Sequence, residues 1–276
     1  MELNRIVSGI SMALVIALSV LFLSNRTLSI LIGIIVCLSA WEFFKLRFST
    51  EISILLSILL FISLVYFSFG VSFQLTISSL GFLLWIILGV LILGFPHNKN
   101  FVQNIFFQFF SGFLIHFSFY FSLMLIINSS ELLLEPLNIQ LSSRAVLLLL
   151  ITLTALTDML AYFGGKKFGK RKFLPNISPN KTFEGFIIGI LGTCLLVMPI
   201  MGLFYKYAFL KLFFIILVVS LFSVIGDATA SLFKRISGVK DSSNLIPGHG
   251  GVLDRIDSHL ASAPAFVLMI YIFKGI

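Results

Sequence analysis

Charge is scarce in this chain. Only 11% of its 276 residues are Asp, Glu, Lys or Arg, far below the share that keeps a domain of this size soluble in water. Cysteine is scarcer still: Cys37 and Cys194 lie inside apolar runs with no histidine or second cysteine at metal-ligand spacing. That excludes a disulfide framework and a zinc site. There is no arm of alternating basic and aromatic residues, so the net charge of +8 does not point to nucleic acid. No internal repeat, low-complexity tail or domain boundary is visible, which argues against the paired halves of many transporters. What the chain has in excess is apolar sequence: 59% of residues are hydrophobic and the mean hydropathy is +1.11.

Apolar runs of about 18 residues or more, the length a helix needs to cross the hydrocarbon core, recur along the chain. They predict an all-α, polytopic integral membrane protein with about nine transmembrane helices, near residues 6–24, 27–46, 52–69, 74–95, 102–127, 145–163, 183–205, 209–233 and 257–273. The first run is too long for a signal peptide core and is read as a retained helix. Residues 1–276 form one membrane domain, with N-terminal helices over 1–144 and the chemistry-bearing helices and loops over 145–276. Basic residues are held on the cytoplasmic side during insertion. With the N-terminus cytoplasmic and the C-terminus outside, Arg26, Arg144, Lys206, Lys211 and Lys274 fall outside and the other basic residues inside.

The early spans carry little chemistry. Trp41-Glu42-Phe43-Phe44-Lys45-Leu46 reads as an aromatic and basic interfacial anchor, His116 as a satisfied interior histidine, and Glu131 and Glu135 as solvated loop charges. The sixth span differs: Thr154, Asp158 and Tyr162, at i, i+4 and i+8, form a polar stripe on one helix face. A carboxylate within a span is costly and marks function or pairing.

Gly164-Gly165-Lys166-Lys167-Phe168-Gly169-Lys170 nearly spells a phosphate loop, but Arg171 stands where a Ser or Thr would hold magnesium, and a membrane helix precedes it instead of a strand. What remains is a basic loop beside the membrane. It continues to Ser178-Pro179-Asn180-Lys181-Thr182-Phe183-Glu184-Gly185, where Ser before Pro predicts a helix start whose free N–H groups would favour phosphate beside Lys181 and Thr182. An ordinary capped helix with a snorkelling lysine is the alternative.

The densest chemistry lies between Asp227 and Asp257. Asp227, Ser231 and Lys234 share a helix face; Arg235, Lys240 and Asp241 follow; then Pro247-Gly248-His249-Gly250-Gly251 leads into Asp254-Arg255-Ile256-Asp257. The glycines allow backbone angles that other residues resist. Carboxylates from two helix ends among basic residues suit a hard, oxygen-loving cation, magnesium or manganese, that bridges substrate phosphates. Phosphoryl or nucleotidyl transfer is the chemistry such a site performs. His249 donates to a phosphate oxygen, shuttles a proton, or supports the loop.

These residues carry a resemblance. Ser231-x-x-Lys234-Arg235, Lys240-Asp241 and His249-Gly250-Gly251-x-x-Asp254-Arg255-x-Asp257 resemble the signature of the phosphatidate cytidylyltransferases, or CDP-diacylglycerol synthases. Ser178-Pro179-x-Lys181-Thr182-x-Glu184-Gly185 and Asp158-x-x-Ala161-Tyr162-Phe163 resemble that family's other two blocks, in the same order. The resemblance implies a magnesium-dependent condensation of CTP with phosphatidate, giving CDP-diacylglycerol and pyrophosphate at the cytoplasmic face of the cell (inner) membrane. It also implies a cation pair at Asp227 and Asp254, with Mg2+ or K+ as the second ion, and a homodimer. In the mechanism that follows, Lys181, Lys234, Arg235, Lys240 and Arg255 share the phosphate charge. Asp158, Glu184, Asp241 and Asp257 orient those bases or bind nucleotide, with Ser178, Thr182, Ser231, Gly248, Gly250 and Gly251 completing the substrate site. Ala230 stands where many members have Glu, and Asn180 where Lys is common. A polyprenol kinase or an ether-lipid cytidylyltransferase is the nearest rival, and a cation transporter the rival from another class.

Overall fold

The computed structural model describes residues 2–66, 70–128, 141–204, 209–246, 248 and 250–274. The chain is an all-α, polytopic membrane protein. In order, its elements are α1 (Glu2–Phe22), α2 (Asn25–Lys45), α3 (Thr50–Tyr66), α4 (Val71–Leu93), the short α5 (Lys99–Val102), α6 (Ile105–Asn128), α7 (Ser143–Phe168), strands β1 (Lys172–Leu174) and β2 (Ser178–Thr182), α8 (Phe183–Phe204), α9 (Phe209–Ile236) and α10 (Leu253–Lys274). Among the described residues, a helix covers most of each of the nine predicted segments. Among the described residues seven helices are long and apolar enough to cross a bilayer, while the apolar parts of α1 and α3, Ser11–Phe22 and Thr50–Leu64, are shorter. Glu131 and Glu135 lie outside the described residues.

Helix ends follow local chemistry. Ser24 and Ser142 cap α2 and α7, their hydroxyls accepting from the N–H groups of Thr27 and Ala145. Lys45, Lys166, Lys167, Lys234 and Arg235 occupy last turns, where positive charge meets the negative end of the helix dipole.

Serine and threonine do the interhelical work that water-driven burial cannot do in lipid. Thr157 of α7 meets Thr193 of α8 and Ser220 of α9, each at 3.1 Å, and Thr154 meets Ser262 of α10 at 3.1 Å. Ser122 of α6 donates to Ser78 of α4 at 3.0 Å. His116 is a satisfied interior histidine: Nε2 lies 3.1 Å from the Ser39 hydroxyl and Nδ1 2.7 Å from the Gly112 carbonyl. Large apolar residues such as Leu55, Val90, Leu195 and Leu210 face outward, as a lipid-facing surface requires.

The pairs α9 with α10 and α7 with α8 pack most closely, and α10 also rests on α2, α4 and α6. At the end of α1, the Arg144 guanidinium donates to the carbonyls of Val20, Leu21 and Leu23 at 2.9, 2.6 and 2.7 Å, bolting that helix to the start of α7.

The predicted helix start at Ser178-Pro179 is corrected. Ser178–Thr182 is a strand, antiparallel to β1 with Lys172 opposite Thr182 and Leu174 opposite Ser178. Helix α8 begins only at Phe183, and Thr182 caps it, its hydroxyl accepting from Gly185 N–H at 3.2 Å. A two-stranded ribbon is all edge, so Pro179 removes no ladder bond that the ribbon needs.

Candidate active site

The C-terminal ends of α2, α7 and α9, the N-terminal ends of α8 and α10, and the β1–β2 hairpin meet at one end of the bundle. Side chains tie them there: Arg235 Nε on α9 donates to the Ile177 carbonyl of the hairpin at 3.2 Å, and Glu42 of α2 accepts from the loop before α10.

A cavity of about 480 Å³ opens between α7, α8, α9 and the hairpin. Asp158, Tyr162, Lys166, Ser178, Lys181 and Asp227 supply its polar lining, and Phe173 and Phe186 an apolar wall in which the two rings stack with centroids 4.5 Å apart. Lys181 Nζ lies 2.5 Å from Asp227 Oδ2, each side chain about a third exposed or less. The stripe on α7 runs from buried Thr154 through Asp158, which accepts from Ser223 at 3.3 Å, to exposed Tyr162 at the cavity.

Asp227 sits within electrostatic reach of both Asp158 and Asp257. Gly226 explains this proximity. A Cβ on Gly226 would collide with the Asp257 carbonyl and approach Ala261 and Ser258 to 3.1 Å. Only hydrogen at this position lets α10 close on α9, and the two carboxylates follow their backbones together.

Asp254 does not line the cavity and is held by other partners. Lys234 Nζ lies 2.5 Å from its Oδ1, and Oδ2 accepts from Ser242 N at 2.9 Å, Ser242 Oγ at 2.9 Å and Gly251 N at 3.0 Å. This pair is deeply placed, with side chains 10% and 7% exposed. Lys234 also acts on Asp257, so the charges form a chain: Lys181, Asp227, Asp257, Lys234, Asp254.

Several predicted residues hold the site's frame. Glu184 accepts from the N–H groups of Lys170 and Arg171 at 2.9 and 3.1 Å and from Arg171 Nε at 3.0 Å, which sets the basic turn. Arg235 also donates to the Val239 carbonyl. Gly248 and Gly250 adopt φ of +78° and +81°, the left-handed angles foreseen for the glycine turn. Lys240, Asp241 and Arg255 are exposed at the same end, and Ser231 is half-buried on α9. His249 lies outside the described residues.

The residue that sequence reasoning missed is Glu42. Far from being an interfacial anchor, it is fully buried, with four donors on its carboxylate: Ser242 Oγ at 2.8 Å, Ser243 Oγ at 2.5 Å, Val252 N at 3.0 Å and Leu253 N at 2.7 Å. Only Lys45, 5.0 Å over the Trp41 ring, keeps the anchor's chemistry. No sequence signal marked it, because the burial of the neighbouring Phe43 and Phe44 is evident only in the fold.

The donor chemistry suits a hard divalent cation. Asp158, Asp227 and Asp257 offer carboxylate oxygens of the kind such a cation prefers, although among the described residues no three acidic, His or Cys side chains converge on one point. Convergence is not needed, because magnesium keeps waters and is held through one or two carboxylates plus substrate phosphates.

Comparison with known proteins identifies the family. The model of the "Cytidylyltransferase family" matches residues 3–273. The chain is 48% identical over 130 residues to a phosphatidate cytidylyltransferase of Haemophilus influenzae, covering 44% of each chain. It is 46% identical over 118 residues to one of Staphylococcus haemolyticus, covering 42% of this chain and 45% of the relative. A third, from Pseudomonas aeruginosa, is 45% identical over 117 residues, covering 41% and 43%. The matched segments thus span less than half the length of these curated relatives.

Proposed function

The chain belongs to the cytidylyltransferase family, and from that premise we propose that it condenses CTP with phosphatidate to give CDP-diacylglycerol and pyrophosphate. The observation that carries this reading is the cavity: a lysine–aspartate pair and a second carboxylate, Asp158, set beside stacked phenylalanines between membrane helices. Phosphate chemistry is thereby offered to a molecule whose tails stay in the bilayer.

In the proposed reaction an oxygen of the phosphatidate monoester attacks the α-phosphorus of CTP. One P–O bond forms, the bond to the β-phosphate oxygen breaks, and pyrophosphate leaves with that electron pair. No general base is required, since the nucleophile is already an anion. Lys181 turns from Asp227 toward phosphate oxygens, while the Thr182 cap and the Glu184 turn keep the hairpin in place. Exposed Lys240 and Arg255 share the triphosphate charge, and Ser178 and Tyr162 border the entry.

Magnesium would be held by Asp227, with Asp158 and Asp257 beside it, and would supply neutralisation of the triphosphate. Asp254, which is paired with Lys234, would help to hold a second ion, Mg2+ or K+. The site faces the cytoplasm at the cell membrane, where CTP is available, and the protein works as a homodimer.

Purified protein incubated with phosphatidate, magnesium and each of the four nucleoside triphosphates should release pyrophosphate with CTP alone. Asp227→Asn should abolish that release and leave the fold intact. Equal turnover with all four triphosphates, or normal turnover of Asp227→Asn, overturns the proposal. A product formed only when another phospholipid or a polyprenol replaces phosphatidate reassigns the acceptor.

A further inference from the structure

We propose that Glu42, on the last turn of α2, is a positioning residue for the transfer site: its buried carboxylate holds the turn before α10 in the shape that sets Asp254 against Lys234. The inference rests on the reading of the site as a nucleotidyl-transfer centre. Glu42 belongs to the half of the chain in which little chemistry was visible, yet every donor it binds lies more than 190 residues away, at Ser242, Ser243, Val252 and Leu253.

Two of those donors are backbone N–H groups at the start of α10, which begins at Leu253. First-turn N–H groups have no partner within their own helix and carry partial positive charge. Here the cap comes from another helix. A serine or asparagine can cap a helix, but an ionised carboxylate alone offers two oxygens that only accept, and Glu42 uses both, each oxygen taking two donors.

The link to the site is Ser242. Its Oγ lies 2.8 Å from Glu42 Oε2 and 2.9 Å from Asp254 Oδ2, so one hydroxyl proton serves two carboxylates. Ser242 N and Gly251 N also donate to Asp254 Oδ2. Gly251 has no room for a side chain, because a Cβ there would strike the Ser242 hydroxyl and the Glu42 carboxylate. Glu42, Ser242, Gly251 and Asp254 thus form one rigid block, and Lys234 closes it on the α9 side at 2.5 Å.

The test uses the full chain, purified in detergent, with Glu42→Gln, Glu42→Asp, Ser242→Ala and the Glu42→Gln/Ser242→Ala double variant. Glutamine keeps the size but turns an amide N–H toward groups that themselves donate. Glu42→Gln is expected to lower kcat about 100-fold with KM for CTP and phosphatidate within about threefold, the pattern of a displaced reacting geometry. Glu42→Asp, which keeps an acceptor-only group, should recover part of the loss. Ser242→Ala leaves the Glu42 bonds to Val252 and Leu253 in place and therefore folds; it should lose about tenfold in kcat, and the double variant should fall no further than Glu42→Gln, as coupled neighbours do. Amide hydrogen exchange over residues 242–255 should quicken in Glu42→Gln, with exchange in α4 and α6 unchanged.

A Glu42→Gln kcat within twofold of the unsubstituted protein, or Ser242→Ala at full rate beside a Glu42→Gln that has simply unfolded, overturns the proposal. If the unsubstituted protein makes no nucleotide–lipid product at all, the transfer reading fails. Exchange then decides the role of Glu42 in building the block: unchanged protection at Val252 and Leu253 refutes it.

Discussion

Two lysine–aspartate pairs hold the charged end of the bundle, and their burial separates their roles. Lys234 and Asp254 are 10% and 7% exposed, Lys181 and Asp227 26% and 33%. Removing one partner of a buried pair strands the other charge and costs about 3–5 kcal/mol, whereas a half-buried pair that water partly screens contributes less. Lys234→Ala should therefore melt well below the parent protein in detergent. Lys181→Ala should melt near it but lose turnover, because Lys181 lines the cavity. Equal melting points for the two variants would contradict this division. Asp158 and Asp227 were legible in the sequence, since a charge in an apolar span announces itself by its cost, and Lys181 stood out only as part of the basic loop. Glu42 was not, because its neighbours Trp41 and Lys45 suggest an interface and its partners lie far along the chain.

At the scale of elements, the approach of α9 to α10 sets the distance between Asp227 and Asp257. Gly226→Ala places a methyl group against the Asp257 carbonyl and Ser258. Overpacking of this kind costs about 1–3 kcal/mol, and here it also parts two carboxylates. A lower melting temperature with a disproportionate fall in CTP-dependent product is expected; a stable, fully active Gly226→Ala would show that the spacing is unimportant. The helices themselves were legible, because hydrophobic length in lipid leaves few alternatives. The β1–β2 hairpin was hidden: five residues with a proline inside carry no strand signal, and only pairing with Lys172–Leu174 makes Ser178–Thr182 extended. The helix cap was consequently placed four residues early, at Ser178 instead of Thr182.

For the molecule as a whole, the contacts of Glu42 with Ser242 and of Arg235 with Ile177 require the ends of α2 and α9 and both charged loops to lie on one side of the bilayer. Single cysteines at Arg47, Lys170 and Lys240, introduced after replacing Cys37 and Cys194, should react with an impermeant maleimide from the same side, and one at Arg26 from the opposite side. Labelling of Lys240 from the side of Arg26 would break the arrangement. Basic residues indicated this sidedness from sequence, but not which charges serve another purpose.

Arg144 is one that does. Counted as an outward-facing charge, it is in fact committed to three carbonyls at the far end of α1, a helix that packs mainly on α7. Among the described residues, the end of the first span is moored by these bonds and by its packing on α7. An alanine at residue 144 would let α1 drift in the lipid while the machinery at the opposite face stayed assembled.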